Sequence, residues 1–361
     1  MAIDHYRTLG RSGLRVSPFC LGAMTFGREW GFGADVDESR RIIDTYLDRG
    51  GNFLDTANIY THGHSEKIIG DHIGRHPSRR ARLVLATKFM GNMYPDDPNG
   101  GGGGRKAIVR ACEQSLRRLQ TDYIDLYWMH FWDRHTPIEE TMRALDDLVR
   151  AGKVLHLGFS DTPAWKCAQA QTEAVFRSWT PLIALQIEYS LIERTVEGDL
   201  IPMALELGLG VTPWSPLKGG ILTGKYTRGT APPQGDRRYA EDSKHLNERT
   251  FTIVEALRKV SSELGVSPAQ VALAWVQQRP GVTSTIIGAR TVPQLIENLA
   301  ALDCTLPAEL SALLDEASTP VLPFPHAFLQ NLTNCIQNGT CINGVPSARW
   351  PLSPADDQER F

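Results

Sequence analysis

Four residues able to move a proton fall at or just past the ends of short apolar runs. They are Asp55 and Tyr60 in GNFLDTANIY, Lys88 closing LVLATK, and His130 closing YIDLYWMH. A free phenol titrates near ~10 and is a poor acid at neutral pH. An ammonium beside it favours the phenolate and is expected to lower that value. A carboxylate keeps the ammonium charged and in place, and an imidazole orients a carbonyl oxygen or joins a proton relay. Such a group would protonate a developing alkoxide and take the proton back in reverse. It carries no hydride, so the electrons must come from a cofactor. Singly, a strand-end aspartate, a solvated lysine or a satisfied core histidine would be ordinary. Three strand ends presenting titratable groups to one rim, with a tyrosine on the adjoining loop, are not.

To share a rim, these residues need parallel strands with exposed connections at one end. The chain supplies them. YRTLG-RSG-LRVS reads as a hairpin capping one end of the domain. The strands expected after it are FCLGAM (19–24), NFLDT, LVLATK, YIDLYWMH, VLHLGFS, LIALQIEYS, GVTPWS and TSTIIG. Helices are expected between them near 37–48, 65–74, 105–119, after Thr136, 163–177, 196–207, after Ser267 and 292–301. Thr136 reads as an N-cap, with Pro137 at the first helical position, Glu139 closing a capping box and Gly152 past the end. Ser267-Pro-Ala-Gln270 reads as a second capping box. Eight β-then-α units predict an α/β fold, a (β/α)8 TIM barrel. A doubly wound sheet would carry a GxGxxG turn after its first strand, and there is none. A long insertion follows the seventh strand, from Leu217 to about Leu264, with a helix near 249–264. A last helix is expected over 308–317, giving a barrel domain over 1–318 and a Pro-, Asn- and Gly-rich irregular tail over 319–361. Three placements stay open for the tail: over the pocket, along the barrel, or in the subunit contact of a homo-oligomer.

Bulk properties narrow the function. A 361-residue chain that is 42% apolar can bury a large core. A net charge of −3 and a pI near 6.4 do not favour nucleic acid or an anionic membrane. No apolar run reaches the roughly 20 residues of a membrane helix, and MAIDHYRTLG lacks a secretory profile. Scattered Cys20, Cys112, Cys167 and Cys304 suit free thiols in a reducing cytoplasm; Cys335 and Cys341 are close enough in sequence to pair, but the same compartment favours free thiols there too. Asn331 and Asn338 head glycosylation-type triplets that mean little without a leader.

Three patterns imitate function. Gly219 to Lys225 has phosphate-loop spacing, but Tyr226 stands where a magnesium-binding Ser or Thr is required. Gly100–Gly104 reads as a flexible rim loop. His62 and His64 lack a third metal ligand at sensible spacing, so no metal is expected.

From LGRSGLRVS to about Leu302 the chain resembles the aldo-keto reductase superfamily. Asp55, Tyr60, Lys88 and His130 match that family's tetrad in order, and GAMTFG, YWMHFWD and TPIEETM resemble its bacterial and fungal aryl-alcohol-dehydrogenase-like branch. The resemblance implies a cytoplasmic oxidoreductase that reversibly reduces aldehydes or ketones with NADP(H) bound in extended form, Tyr60 acting as general acid. It implies that Trp214 stacks on the nicotinamide, with Gly22, Met24 and Asp55 nearby. Ser160, Asp161 and Gln186 would hold the carboxamide, with Asp161 standing where Asn is usual; Asp accepts from an amide but cannot donate to it. Ser215, Pro216, Leu217, Gly219 and Lys225 would strap the pyrophosphate. Gly288, Arg290, Gln294, Glu297 and Asn298 would hold the adenosine end. A guanidinium at a helix start suits a 2′-phosphate, hence NADP(H) over NAD(H). Phe26, Trp30, Met90, Tyr94, Phe131 and Trp132 are expected to line a mouth for aromatic or apolar carbonyl compounds. Two alternatives belong to the same resemblance: a redox-sensing regulatory subunit like those of potassium channels, and a sugar-nucleotide ketoreductase.

Overall fold

A computed structural model describes residues 1–228, 245–330 and 332–360. Its first element is a small antiparallel hairpin, β1 (Arg7–Thr8) with β2 (Arg15–Val16). Gly10 turns it at φ +57°, where a Cβ would meet the Ile183 carbonyl oxygen at 2.1 Å. Leu9 and Val16 of the hairpin are fully buried in one apolar cluster with Val84, Leu126 and Ile183. The hairpin therefore plugs the end of the barrel where the strands begin.

Eight parallel strands follow: β3 (Phe19–Gly22), β4 (Phe53–Asp55), β5 (Val84–Phe89), β6 (Ile124–Met129), β7 (Val154–Ser160), β8 (Leu182–Glu188), β9 (Gly210–Trp214) and β10 (Thr285–Gly288). The order around the sheet is β10-β3-β4-β5-β6-β7-β8-β9. The seam between β9 and β10 is spanned by a bridge of Val211 with Val282, where Thr283 N–H donates to the Val211 carbonyl at 2.8 Å. The protein is a (β/α)8 barrel. Its interior is filled from alternate positions, Cys20, Phe53, Ala86, Leu126, Trp128, Ala184 and Ile286. At Gly158 an added Cβ would meet the Trp128 ring at 2.4 Å, so the missing side chain makes room for that indole.

Helices wrap the strands: α1 (Val36–Asp48), α2 (His64–Ile69), α3 (Pro77–Arg80), α4 (Arg105–Leu119), α5 (Ile138–Arg150), α6 (Ala164–Phe176), α7 (Leu200–Leu207), α8 (Glu248–Leu264), α9 (Pro268–Gln277), α10 (Val292–Leu299) and α11 (Ala308–Ala317). The expected second helix is α2 continued by a π turn, Gly70–Gly74. The capping box at Ser267 and Gln270 forms as expected. The one at Thr136 does not. The Thr136 hydroxyl donates to Asp133 at 2.6 Å, and Pro137 takes the cap position without a side-chain bond. An aspartate three residues upstream competes for the hydroxyl, and a local acceptor of full charge outbids a backbone N–H.

Of the insertion after β9, a helical turn Lys218–Thr223 and α8 are described; its middle, 229–244, lies outside the described residues. Among the described residues no helix is long and apolar enough to cross a membrane.

The chain divides into two compact units, Met1–Ser318 and Thr319–Phe361. The second is not irregular, as its composition suggested. It carries α12 (His326–Gln330), α13 (Thr333–Gln337), a hairpin of β11 (Cys341–Ile342) with β12 (Val345–Pro346), and a helical turn Asp357–Glu359. Asn338, at φ +44°, ends α13 and takes the Trp350 N–H at 2.9 Å, so it helps to organise the tail. Cys335 and Cys341 are free thiols. Asn331 lies outside the described residues.

Candidate active site

Side chains alternate between the faces of a strand, so residues two apart share a face. Phe53, Val84, Ala86, Leu126, Trp128 and Ala184 fill the barrel. Asp55, Lys88, His130 and Gln186 continue those same inward rows towards the C-terminal ends of β4, β5, β6 and β8. The parallel register sets Gly22 opposite Asp55, Lys88 opposite Trp128, Ser160 opposite Gln186, and Glu188 opposite Trp214. Gly288 closes the ring opposite Gly22. Every barrel strand thus brings a predicted site residue to one rim.

Tyr60 arrives differently. It opens a helical turn, Tyr60–Gly63, in which Thr61 and His62 take left-handed φ angles of 46° and 57°. The Thr61 hydroxyl donates to the Phe26 carbonyl at 3.0 Å and ties this turn to the loop after β3.

Lys88 is the hub, with its side chain fully buried. Its ammonium donates to Asp55 Oδ2, to the Thr56 carbonyl at 2.9 Å and to Tyr60 Oη at 3.2 Å. All three of its protons are used. Gln186 Nε2 donates to the other oxygen of Asp55 at 3.2 Å. The His130 ring stands edge-on to Tyr60 at 5.8 Å, and Trp30 does so from another side at 6.1 Å.

Burial opposes the charged form of Lys88, but the neighbouring Asp55 carboxylate and Tyr60 together raise its pKa above the ordinary value. Burial pushes Asp55 up, against the pull of Lys88. The expected lowering of Tyr60 is not what results. Lys88 does lower it, yet burial is larger and the Asp55 charge adds to it, so the phenol sits above its usual value. Tyr60 is therefore held protonated, not as a phenolate. Burial, with Lys88, drives His130 down to about 3, so its imidazole is neutral. Its Nδ1 is buried without a partner.

The family model described as the Aldo/keto reductase family matches residues 18–319. The chain belongs to the aldo/keto reductase family. Among its relatives, the uncharacterized oxidoreductase YrpG of Bacillus subtilis (strain 168) is 42% identical over 322 residues, covering 86% of this chain and 95% of the relative. A probable voltage-gated potassium channel subunit beta of Oryza sativa subsp. japonica is 40% identical, over 82% of this chain and 91% of the relative. An aryl-alcohol dehydrogenase (NADP+) of Phanerodontia chrysosporium is 36% identical, over 95% and 92%. This aldo/keto reductase is therefore an oxidoreductase, and the family generally works with NAD(P)H.

The remaining predicted residues of this reductase fall into groups. Ser160 is 1% exposed and its Oγ has no hydrogen-bond partner. Asp161, at φ +41°, accepts the Trp214 indole N–H at 3.0 Å. Ser215 and Gly219 also have positive φ, 54° and 59°, in a sharply folded strap that includes Pro216 and Leu217. Lys225 is exposed, with its ammonium over the Tyr226 ring. Gly288 is exposed and nothing would meet a Cβ there. Gln294 accepts the Arg290 N–H at 2.9 Å, Asn298 donates to the Gly288 carbonyl at 3.1 Å, and Glu297 is exposed, its carbonyl taking a Gln270 amide proton. Met24 is half-buried just beyond β3.

The expected mouth needs two corrections. Phe26 is fully buried in the apolar layer with Leu21 and Ala23, and Met90 is 4% exposed among core residues. Neither offers surface to a substrate, because each turns under its loop and packs against the helices. Trp30 remains beside Tyr60, and Phe131 is 42% exposed with its ring 5.3 Å from His130. Trp132 packs edge-on against Trp165 at 5.3 Å, and Tyr94 is covered by the Arg110 guanidinium at 3.4 Å.

Sequence reasoning missed Trp165, Glu188 and Lys218. Glu188 lies two residues past Gln186 on the same inward row, which alternation alone could have flagged. It pairs with Lys218, a buried lysine of the strap at φ +45°. Among the described residues no group of three or more His, Cys, Asp or Glu is placed to hold a metal.

Proposed function

We propose that the protein reversibly reduces the carbonyl group of aldehydes or ketones, with a preference for aromatic or apolar ones, using NADP(H). The observation that carries this is the Tyr60 hydroxyl, 3.2 Å from a buried, charge-locked Lys88 and flanked by the neutral ring of His130. The dinucleotide supplies the hydride when bound. Tyr60 gives its proton to the oxygen of the carbonyl as negative charge develops there. Lys88 stabilises the phenolate left behind, because the ammonium is already pointed at Oη and needs no reorganisation. Asp55 keeps Lys88 charged, and Gln186 fixes the carboxylate that does so. His130, neutral throughout the working range, can donate an N–H to the carbonyl oxygen without competing as an acid.

The residues present fit a nicotinamide. The buried Ser160 hydroxyl, which lies beside Asp161 at this rim, can reach an amide. Trp214 is half-buried and, among the described residues, no other ring stacks on it. Arg290, preceding α10, supports a 2′-phosphate and hence NADP(H) over NAD(H). The arc of Phe32, Trp30, Tyr60, His130 and Phe131, with successive centroids 5.3–6.2 Å apart, supports flat apolar substrates.

The test follows NADPH absorbance against aryl aldehydes, aliphatic aldehydes, ketones and keto-sugars. Steady turnover of aryl aldehydes is expected. A second reading, a redox-sensing subunit, is favoured by the relative from rice. It would be preferred if NADPH bound tightly and none of the panel turned over beyond a single equivalent.

A further inference from the structure

Trp214 ends β9, and part of its indole packs against the apolar filling of the barrel. Its N–H edge is held by Asp161 Oδ1 at 3.0 Å. Asp161 comes from the end of β7, so its side chain reaches past the intervening β8 to a strand that is not its neighbour. The reach is built into the backbone. Asp161 has φ +41°, a left-handed conformation that side-chain-bearing residues adopt at a cost, and its own N–H donates to the Gln186 carbonyl at 3.2 Å. Aspartate is among the few side-chain-bearing residues that enter this region, and here the conformation carries its carboxylate to the Trp214 indole.

Charges on either side act on that carboxylate. Lys88 attracts it, Glu188 repels it, and the Glu188 charge is itself balanced by Lys218. A recess of about 310 Å³ is lined by Asp161, Glu188, Glu193 and Trp214 among others. Crowding by protein atoms, despite access to water, pushes the Asp161 pKa up to about 6. The carboxylate is therefore ionised near neutrality and forms a charge-assisted bond to the indole.

We propose that Asp161 is a positioning residue: by holding the indole N–H of Trp214 it fixes the plane of the ring against which a flat heteroaromatic group stacks at the barrel mouth. This rests on the nicotinamide dinucleotide reading above. It gives Asp161 a task other than binding the amide, and so explains how an acceptor-only side chain serves at that position. Ser160 and Gln186 then remain for the amide.

A double-mutant cycle on dinucleotide affinity tests this, with Kd for NADP+ measured calorimetrically on the full chain. The variants are Asp161→Ala, Asp161→Asn, Trp214→Phe and the Asp161→Ala/Trp214→Phe pair, each checked for native circular dichroism. Asp161→Ala is expected to weaken binding by roughly tenfold, the scale of one hydrogen bond to a charged group. Asp161→Asn, whose amide oxygen still accepts, should stay within about threefold of wild type. In the Trp214→Phe background, which has no N–H to hold, adding Asp161→Ala should change Kd by less than about twofold. Equal losses in both backgrounds would mean that Asp161 touches the dinucleotide directly and would overturn the proposal. So would an Asp161→Ala variant that binds like wild type, or an Asp161→Asn variant as weak as Asp161→Ala. A wild-type protein that binds neither NADP+ nor NAD+ would instead remove the dinucleotide reading, and the proposal with it.

Discussion

Lys88→Met separates what the buried ion pair does for the fold from what it does for the chemistry. The Lys88 side chain is 0% exposed and that of Asp55 3%. Removing the ammonium leaves Asp55 without its charged donor, Gln186 Nε2 still at 3.2 Å, and strips the Thr56 carbonyl of its partner. Breaking a buried pair from one side costs about 3–5 kcal/mol, and that is the expected loss. Replacing both partners, Asp55→Asn with Lys88→Met, removes the orphaned charge. What then remains is an underused carbonyl, about 1–3 kcal/mol, so the double variant should be more stable than the single one by roughly 2 kcal/mol. Both should have lost turnover. Urea unfolding without dinucleotide, followed by circular dichroism, gives the comparison, because a bound ligand would add its own stabilisation. The pH dependence supplies a second check. In Lys88→Met the folded protein raises the Asp55 pKa further, so it binds a proton that the unfolded chain does not. Stability of that variant should therefore increase as pH falls towards 5 by more than it does in wild type, where Lys88 holds the Asp55 shift down. A double variant no more stable than Lys88→Met would refute the reasoning.

Other outcomes follow from the same geometry. Tyr60→Phe keeps the ring contacts with Trp30 and His130 and deletes the proton donor; turnover should fall by about 10²–10⁴ while the calorimetric Kd for NADP+ stays within about twofold. His130 is neutral when folded, at about 3, and titrates near ~6.5 when unfolded; the unfolded state binds the extra proton between those values, so stability is full above about 6.5 and declines on the order of 1 kcal/mol per unit as pH falls below it. Denaturation of His130→Gln at several pH values should show a shallower decline. Gly158→Ala would drive a Cβ into the Trp128 ring at 2.4 Å; overpacking of this kind costs about 1–3 kcal/mol, read as a lower urea midpoint.

The barrel was legible because its strands are buried on both faces and its helices on one. Apolar runs ending in polar residues therefore marked the strands, and apolar spacing such as Ile108, Cys112, Leu116 and Leu119 marked α4 over the range it occupies. Asp55, Lys88 and His130 were legible as a group for the same reason: strand ends of a parallel barrel must share a rim. Failures arose where a residue had a choice of partner. Thr136 could cap a helix or bond Asp133, and spacing cannot rank the two. Phe26 and Met90 sit on loops, where no period tells which way a side chain turns. The tail carried no long periodic segment, and its short helices and hairpin rest on turns such as those at Asn338 and Asn343 that composition reads as irregular chain.

The tyrosine pKa has a consequence for mechanism. A lysine beside a tyrosine in water lowers the phenol pKa, which is what the sequence predicts for Tyr60. In the folded site the phenol is buried with the ammonium, and the ammonium is already paired with Asp55. The pair Lys88–Asp55 is close to neutral overall, so its net pull on Tyr60 is smaller than that of a lone lysine, and burial prevails. That outcome suits an acid better than a lowered pKa would. A resting phenolate would have no proton to give, whereas a protonated Tyr60 facing Lys88 gains stabilisation only as its proton leaves, which is when a carbonyl oxygen is taking it up. Aspartate at position 55 thus moderates the lysine as well as anchoring it. With Lys88 still held charged by its bonds to the Thr56 carbonyl and Tyr60, Asp55→Asn should on this argument lower the Tyr60 pKa and shift the fall in carbonyl reduction on the alkaline side to lower pH. A pH profile of kcat identical to wild type in shape would show that the carboxylate serves only as an anchor.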